Sequence, residues 1–281
     1  MSTVEAAGLT FDLDLFGPED GTPVVLLHGW PQDRRSWRGV AERLAAEGLR
    51  VVVPDQRGYS PGARPEGVEH YRAEILADDV VAIMAALGHE RFHLVGHDWG
   101  AAVSWVVATR HADRVLTLTA VSVPHLAAYN EALAGDPDQQ QRGAYIGLLR
   151  RPGKAEEVLL EDDGARLRAM YGGDVEPEDE AAYVDKLAEP GALTATLNWY
   201  RAMGPELSAT PEVTVPTTFV WGATDLAIGR YGAERCGDHV SGDYRFVEVN
   251  SGHWLPDTHP DLLASEILER VRSAGNGMMD A

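Results

Sequence analysis

The chain has 281 residues, 44% of them hydrophobic and 24% charged, the make-up of an ordinary globular protein. Its 24 Lys and Arg against 44 Asp and Glu leave a formal charge of −20, which argues against nucleic acid or an anionic membrane as a partner. The single cysteine, Cys236, excludes an internal disulfide, and neither a secretory signal at the N-terminus nor an apolar run of membrane-spanning length is visible, so a cytoplasmic location is the default expectation.

Along the chain, Leu9 to Leu15 alternates apolar and polar residues and reads as a half-exposed strand, followed by a turn at Asp20-Gly21-Thr22-Pro23. Val24 to Leu27 and Val51 to Val53 have the character of short buried parallel strands. Between them Ser36 to Glu47 has helical spacing, capped by Gly48, and Tyr71 to Leu87 is a second helix closed by Gly88. Phe92 to Val95, Val115 to Val121, Thr217 to Trp221 and Tyr244 to Val249 supply further strands, mostly with helices between them. Such alternation predicts an α/β protein, with a mainly parallel sheet and helices on both faces.

The alternation breaks after Pro124. Residues 124–212 offer no convincing strand and read as an inserted helical lid, leaving 1–123 and 213–281 as the core. Two acidic clusters in this stretch, Glu161-Asp162-Asp163 and Glu176 to Glu180, lack calcium-loop spacing and are expected to be solvated helix ends. The tail from Ser273 to Ala281 reads as frayed.

The chemistry is concentrated in Gly96-His97-Asp98-Trp99-Gly100, which lies between the Phe92 strand and a helical run beginning at Ala101. A strand, a sharp turn and a helix form a nucleophile elbow, whose central residue is commonly serine. Here it is Asp98. A carboxylate displaces a leaving group from saturated carbon and leaves an alkyl ester behind, so the substitution points to epoxide opening or halide removal, not ester cleavage. His253, in Gly252-His253-Trp254 after the last strand, is the candidate base for water. Asp225, after the Thr217 strand, is its candidate partner. Oxyanion donors are expected from the backbone N–H groups of Trp99 and of Trp30 in His28-Gly29-Trp30-Pro31. Pro31 is a candidate for a cis bond, and His28 reads as structural.

The set Gly96-His97-Asp98-Trp99-Gly100, His28-Gly29-Trp30-Pro31, Pro54-Asp55-Gln56-Arg57-Gly58-Tyr59 and Gly252-His253-Trp254 resembles the motifs of epoxide hydrolases of the α/β-hydrolase fold, over about Gly8 to Ile267. The resemblance implies that fold, with two lid tyrosines protonating the epoxide oxygen. Asn198-Trp199-Tyr200-Arg201 matches the segment carrying one of them and points to Tyr200. The other lies seven residues before a Pro-Gly pair in that family, which points to Tyr145 ahead of Pro152-Gly153, although Tyr129, Tyr171 and Tyr183 occupy the same stretch. Trp30, Trp99, Tyr145 and Tyr200 would then border the substrate.

Three activities compete at this point. An epoxide hydrolase would make a vicinal diol from a small hydrophobic epoxide and water, with neither metal nor organic cofactor. A haloalkane or haloacid dehalogenase would use the same nucleophile, but many of those have asparagine where Trp30 stands. A ligand-binding relative without turnover would be expected to lack part of the triad. The sequence leaves open which epoxide is used and whether the protein is a homodimer.

Overall fold

A computed structural model describes residues 2–277, and its centre is an eight-stranded sheet. The strands are β1 (Ser2–Ala6), β2 (Leu9–Phe16), β3 (Thr22–Leu27), β4 (Leu49–Pro54), β5 (Phe92–His97), β6 (Val115–Val121), β7 (Thr217–Gly222) and β8 (Tyr244–Val249). They lie in the order β1-β2-β4-β3-β5-β6-β7-β8, and every neighbouring pair from β4 to β8 is parallel. The first two strands run antiparallel, as a hairpin and its junction with β4.

Side-chain alternation explains why the central strands are apolar throughout. Val24 and Leu26 of β3 join one core layer while Val25 and Leu27 join the other, and β4 divides Val51 and Val53 from Val52 in the same way. The first of these layers packs under α1 (Arg38–Ala46) and α12 (Pro260–Gly277). On the opposite face α2 (Ala73–Ala86) and α3 (Trp99–Arg110) cover the sheet. Burying each such aliphatic side chain is worth about 1.5–3 kcal/mol, so both layers hold the strands in register.

Between β6 and β7 the chain forms α4 (Leu126–Gly135), α5 (Pro137–Arg142), α6 (Ile146–Leu149), α7 (Lys154–Met170), α8 (Pro177–Ala188) and α9 (Ala192–Arg201), with no strand among them. The remaining helices, α10 (Arg230–Arg235) and α11 (Leu255–Thr258), flank β8. No helix of the described residues is long and apolar enough to cross a membrane.

Two details depart from the sequence reading, at the two ends of the chain. Ser2–Ala6 is a strand although its side chains are small or polar, because Ala7 and Gly8 both take positive φ (50° and 75°) and fold it back onto β2. The Glu161-Asp162-Asp163 cluster stands, as expected, at exposed helix ends: α7 is two helical segments joined by a break in which Asp162, Asp163 and Gly164 all have positive φ. The second cluster opens a helix, with Pro177 in the first turn of α8. Finally, the helix α12 continues through Ser273 to Gly277, and the rest of the tail expected to fray lies outside the described residues.

Candidate active site

Parallel strands bring their carboxyl ends to one edge, where open α/β sheets place ligands. Adjacent strands β3, β5, β6, β7 and β8 end there, and the loops leaving four of them carry Trp30, Asp98, Asp225 and His253.

Asp98 sits at the turn from β5 into α3 with φ 52° and ψ −119°, a conformation that costs a non-glycine residue about 1–3 kcal/mol. The tightness of the turn demands its glycines: a Cβ on Gly100 would lie 2.1 Å from the Leu27 carbonyl oxygen. Gly29 is equally constrained, since a Cβ there would stand 2.4 Å from Asp98 Oδ1. That close approach lets the Trp30 backbone N–H donate to Asp98 Oδ1 at 2.8 Å. The Trp30-Pro31 bond is cis. The amide of Trp99 opens α3, where N–H groups have no helical acceptor and favour negative charge.

His253 spans the gap between two carboxylates. Its Nδ1–H donates to Asp225 Oδ2 at 2.8 Å, and its Nε2 lies 3.6 Å from Asp98 Oδ2. Burial opposes a charge on this imidazole, but Asp225 and then Asp98 outweigh it and raise its pKa to about 10. Asp225 is itself buried, which would raise its pKa. The His253 charge and the N–H groups of Ala227 and Ile228, donating to Oδ1 at 2.8 and 3.0 Å, hold it below the ordinary value.

The space above Asp98 has two lobes. The first lies among Ala102, Val123, Leu126, Ile146 and Met203. The second lies among Trp30, Met170, Leu226, His253 and Trp254. Tyr145, in the turn before α6, and Tyr200, on α9, border both lobes with Asp98, their rings 6.5 Å apart. Burial is the first cause that pushes both phenols well above their ordinary pKa, so both remain protonated. The Tyr200 ring meets Trp30 and Trp99 edge to face at 5.4 and 5.1 Å.

Six of the seven candidate residues therefore border one cavity, and the seventh, Asp225, lies buried behind His253 and bonded to it. Two of the competing tyrosines do not border it: Tyr171 donates its hydroxyl to the Pro31 carbonyl at 3.0 Å, and Tyr183 to Asp257 Oδ1 at 3.3 Å. His28 is likewise committed. Its Nδ1–H donates to the Gly29 carbonyl and its Nε2 accepts from the Gln56 N–H, which fixes the tautomer and leaves no nitrogen for catalysis.

The sequence model of the alpha/beta hydrolase fold family matches residues 22–260. The chain belongs to the α/β-hydrolase family. A Bacillus subtilis (strain 168) member described as AB hydrolase superfamily protein YfhM is 32% identical, the match covering 96% of this chain and 97% of that one. Epoxide hydrolase A of Mycobacterium tuberculosis (strain ATCC 25618 / H37Rv) is 33% identical over 89% of this chain and 91% of its own. Among solved structures, the crystal structure of epoxide hydrolase A from Mycobacterium thermoresistibile superposes with a TM-score of 0.84 at 27% identity, covering 96% and 97% of the two chains.

Around this α/β-hydrolase site stand supports that sequence reasoning missed. The carbonyl of His253 accepts from His97 Nε2–H (2.9 Å), from the Ser122 hydroxyl (3.1 Å) and from the Leu255 N–H (2.9 Å). Burial lowers the His97 pKa to about 4, so its ring is a neutral donor. The Asp225 loop is gripped by α5. Gln139 Nε2 donates to the Ala227 carbonyl and Gln139 Oε1 accepts from the Gly229 N–H, each at 2.8 Å, while Arg142 donates to the Asp225 carbonyl. The polar run Pro137 to Arg142 contains no apolar residue, so only a full loss of exposure at Gln139 in the folded chain exposes its role.

Proposed function

We propose that Asp98 opens an epoxide ring and that His253 then directs water onto the resulting ester. The protein is an epoxide hydrolase, a reading supported by relatives of that name along nearly the full chain. The observation that carries the mechanism is the junction of two protonated tyrosines with an elbow carboxylate in one apolar cavity. An epoxide oxygen held by Tyr145 and Tyr200 presents its ring carbon to Asp98.

Asp98 Oδ1 is already held by the Trp30 amide, which leaves Oδ2 as the attacking oxygen. Its lone pair forms a bond to carbon as the ring C–O bond breaks, and a tyrosine proton passes to the leaving oxygen. Asp98 is now a neutral ester. One of the two anions that held the proton on His253 has disappeared, so the imidazolium acidifies and its proton restores the tyrosine through the cavity. Neutral His253, oriented by Asp225, then accepts a proton from water. The hydroxide adds to the Asp98 carbonyl carbon, and the oxyanion at Oδ1 falls between the Trp30 and Trp99 amides. Collapse expels the diol oxygen, which takes the proton of the newly formed carboxyl group. The cycle ends with carboxylate and imidazolium as it began.

In this scheme residues 124–212 act as a lid over a core of 1–123 and 213–281, because they supply both tyrosines and one wall of the cavity. Denaturing intact mass spectrometry of a His253→Phe variant tests it. With an aryl epoxide the variant should gain the mass of the whole epoxide, and lose that gain when Asp98→Asn is added. A gain of the alkyl group alone from a bromoalkane, with bromide released, would move the assignment to a dehalogenase.

A further inference from the structure

Three tyrosines line this cavity, and ring opening employs two. The third is Tyr129, on α4, which borders the first lobe but not the second. No described group hydrogen-bonds to its hydroxyl, unlike those of Tyr171 and Tyr183. The hydroxyl sits beside the turn that carries Tyr145: a Cβ on Gly143 would lie 3.7 Å from it. Burial, and then the Asp98 and Asp225 carboxylates, raise its pKa well above the ordinary value, so it remains a donor beside the reacting groups. Asn130 is the other polar side chain of the lobe with no part in the chemistry, and its amide donates to the Leu126 carbonyl at 2.7 Å. Apart from Asp98, Tyr145, Tyr200 and Trp99, the remaining side chains there are apolar, among them Val123, Leu126, Ile146 and Leu207.

An unpaired hydroxyl in a largely apolar lobe discriminates between substrates. When a hydrocarbon substituent fills the lobe and expels water, the hydroxyl is left unpaired, whereas an oxygen at the right place satisfies it. We propose that Tyr129 donates a hydrogen bond to an ether or hydroxyl oxygen in the substituent of the epoxide, so that the enzyme selects oxygenated epoxides over hydrocarbon ones. The proposal rests on the reading of Asp98, Tyr145 and Tyr200 given above, and it names the substrate class for that site. Tyr129 touches the substituent and takes no part in the transfer of protons.

The test compares isosteric epoxides: phenyl glycidyl ether with the analogue in which a methylene replaces the ether oxygen, and a homologous pair with the oxygen one bond further from the ring. For each pair the ratio of kcat/KM values is measured for the parent enzyme and for Tyr129→Phe. The intrinsic reactivity of the ether cancels when the two ratios are divided. A neutral hydrogen bond predicts that the preference for the oxygenated member falls about fivefold in the variant, for at least one pair. A ratio that stays the same in both pairs, including the case in which the variant loses activity equally on every substrate, would overturn the proposal. Parent enzyme that turned over neither member would fail at the underlying reaction, and the mass-spectrometric adduct would identify that failure separately.

Discussion

The Nε2 of His253 stands 3.6 Å from Asp98 Oδ2, so the proposed base for ester hydrolysis is an ion-pair partner of the proposed nucleophile. Its pKa of about 10 owes part of its height to Asp98. Replacing Asp98 with Asn should therefore lower the His253 pKa while the bond to Asp225 persists. Titration of the ring protons by NMR will measure this, and an unchanged midpoint would remove the electrostatic switch from the mechanism. The sign also applies to stability. A raised imidazole pKa stabilises the fold fully below about 6.5, and that contribution disappears as pH climbs through about 10. The Asn variant should lose it at a lower pH.

In the proposed mechanism Tyr145 and Tyr200 act only on ring opening. Phenylalanine at either position should slow ester formation by about 10²-fold and leave hydrolysis of a preformed ester unaltered. Trp30 and Trp99 lie against the site, so single-turnover tryptophan fluorescence separates the two steps. Equal slowing of both would contradict the assignment.

Gln139, through the Asp225 loop, is expected to act on the opposite half of the reaction. Its replacement by Ala strands the Gly229 N–H and the Ala227 carbonyl, at a cost of about 1–3 kcal/mol for each buried group. Denaturant melts should show the loss, and the covalent ester should accumulate because Asp225 is less well held. Normal ester lifetimes in a destabilised variant would make Gln139 structural alone.

Asp257 offers a test at a distance from the chemistry. Burial raises its pKa to about 7, above the value of about 3.9 expected in the unfolded chain. The folded protein thus holds a proton that the unfolded chain has released, and stability declines as pH rises through 7. Asn at this position removes the titration. The buried Gln32 Oε1 has no partner, so a turned-over Gln32 amide can accept from the Asn side chain while Tyr183 still donates to its oxygen. The variant should gain stability over the parent above pH 7; parallel melting temperatures from pH 5 to 9 would sink the idea.

Much of this was legible beforehand. Asp98, Asp225 and His253 each follow a β-branched or aromatic strand, and a sheet of parallel strands has one place to put such residues. Tyr200 came from the resemblance of its segment. Tyr145 came from the family's spacing to a Pro-Gly pair, but what sets it apart from the other tyrosines was not legible, because spacing along the chain says nothing about which hydroxyls are already satisfied. Tyr171 and Tyr183 are distinguished from Tyr145 by partners at Pro31 and Asp257, more than seventy positions away in each case. Ser2–Ala6 escaped notice for a related reason: it is a strand by virtue of its neighbour, not of its own composition.

The grip of α5 on the Asp225 loop bears on how proteins of this kind diverge. The segment that shapes the cavity also steadies the residue that orients the base, so the two cannot drift apart freely. A recombination event that replaced residues 124–212 with a cousin's would import a new substrate range and discard Gln139 and Arg142 together. Unless the incoming segment brought equivalents, the hybrid would become covalently loaded and release its product slowly. Breadth of diet and speed of turnover are, in this architecture, inherited as one parcel.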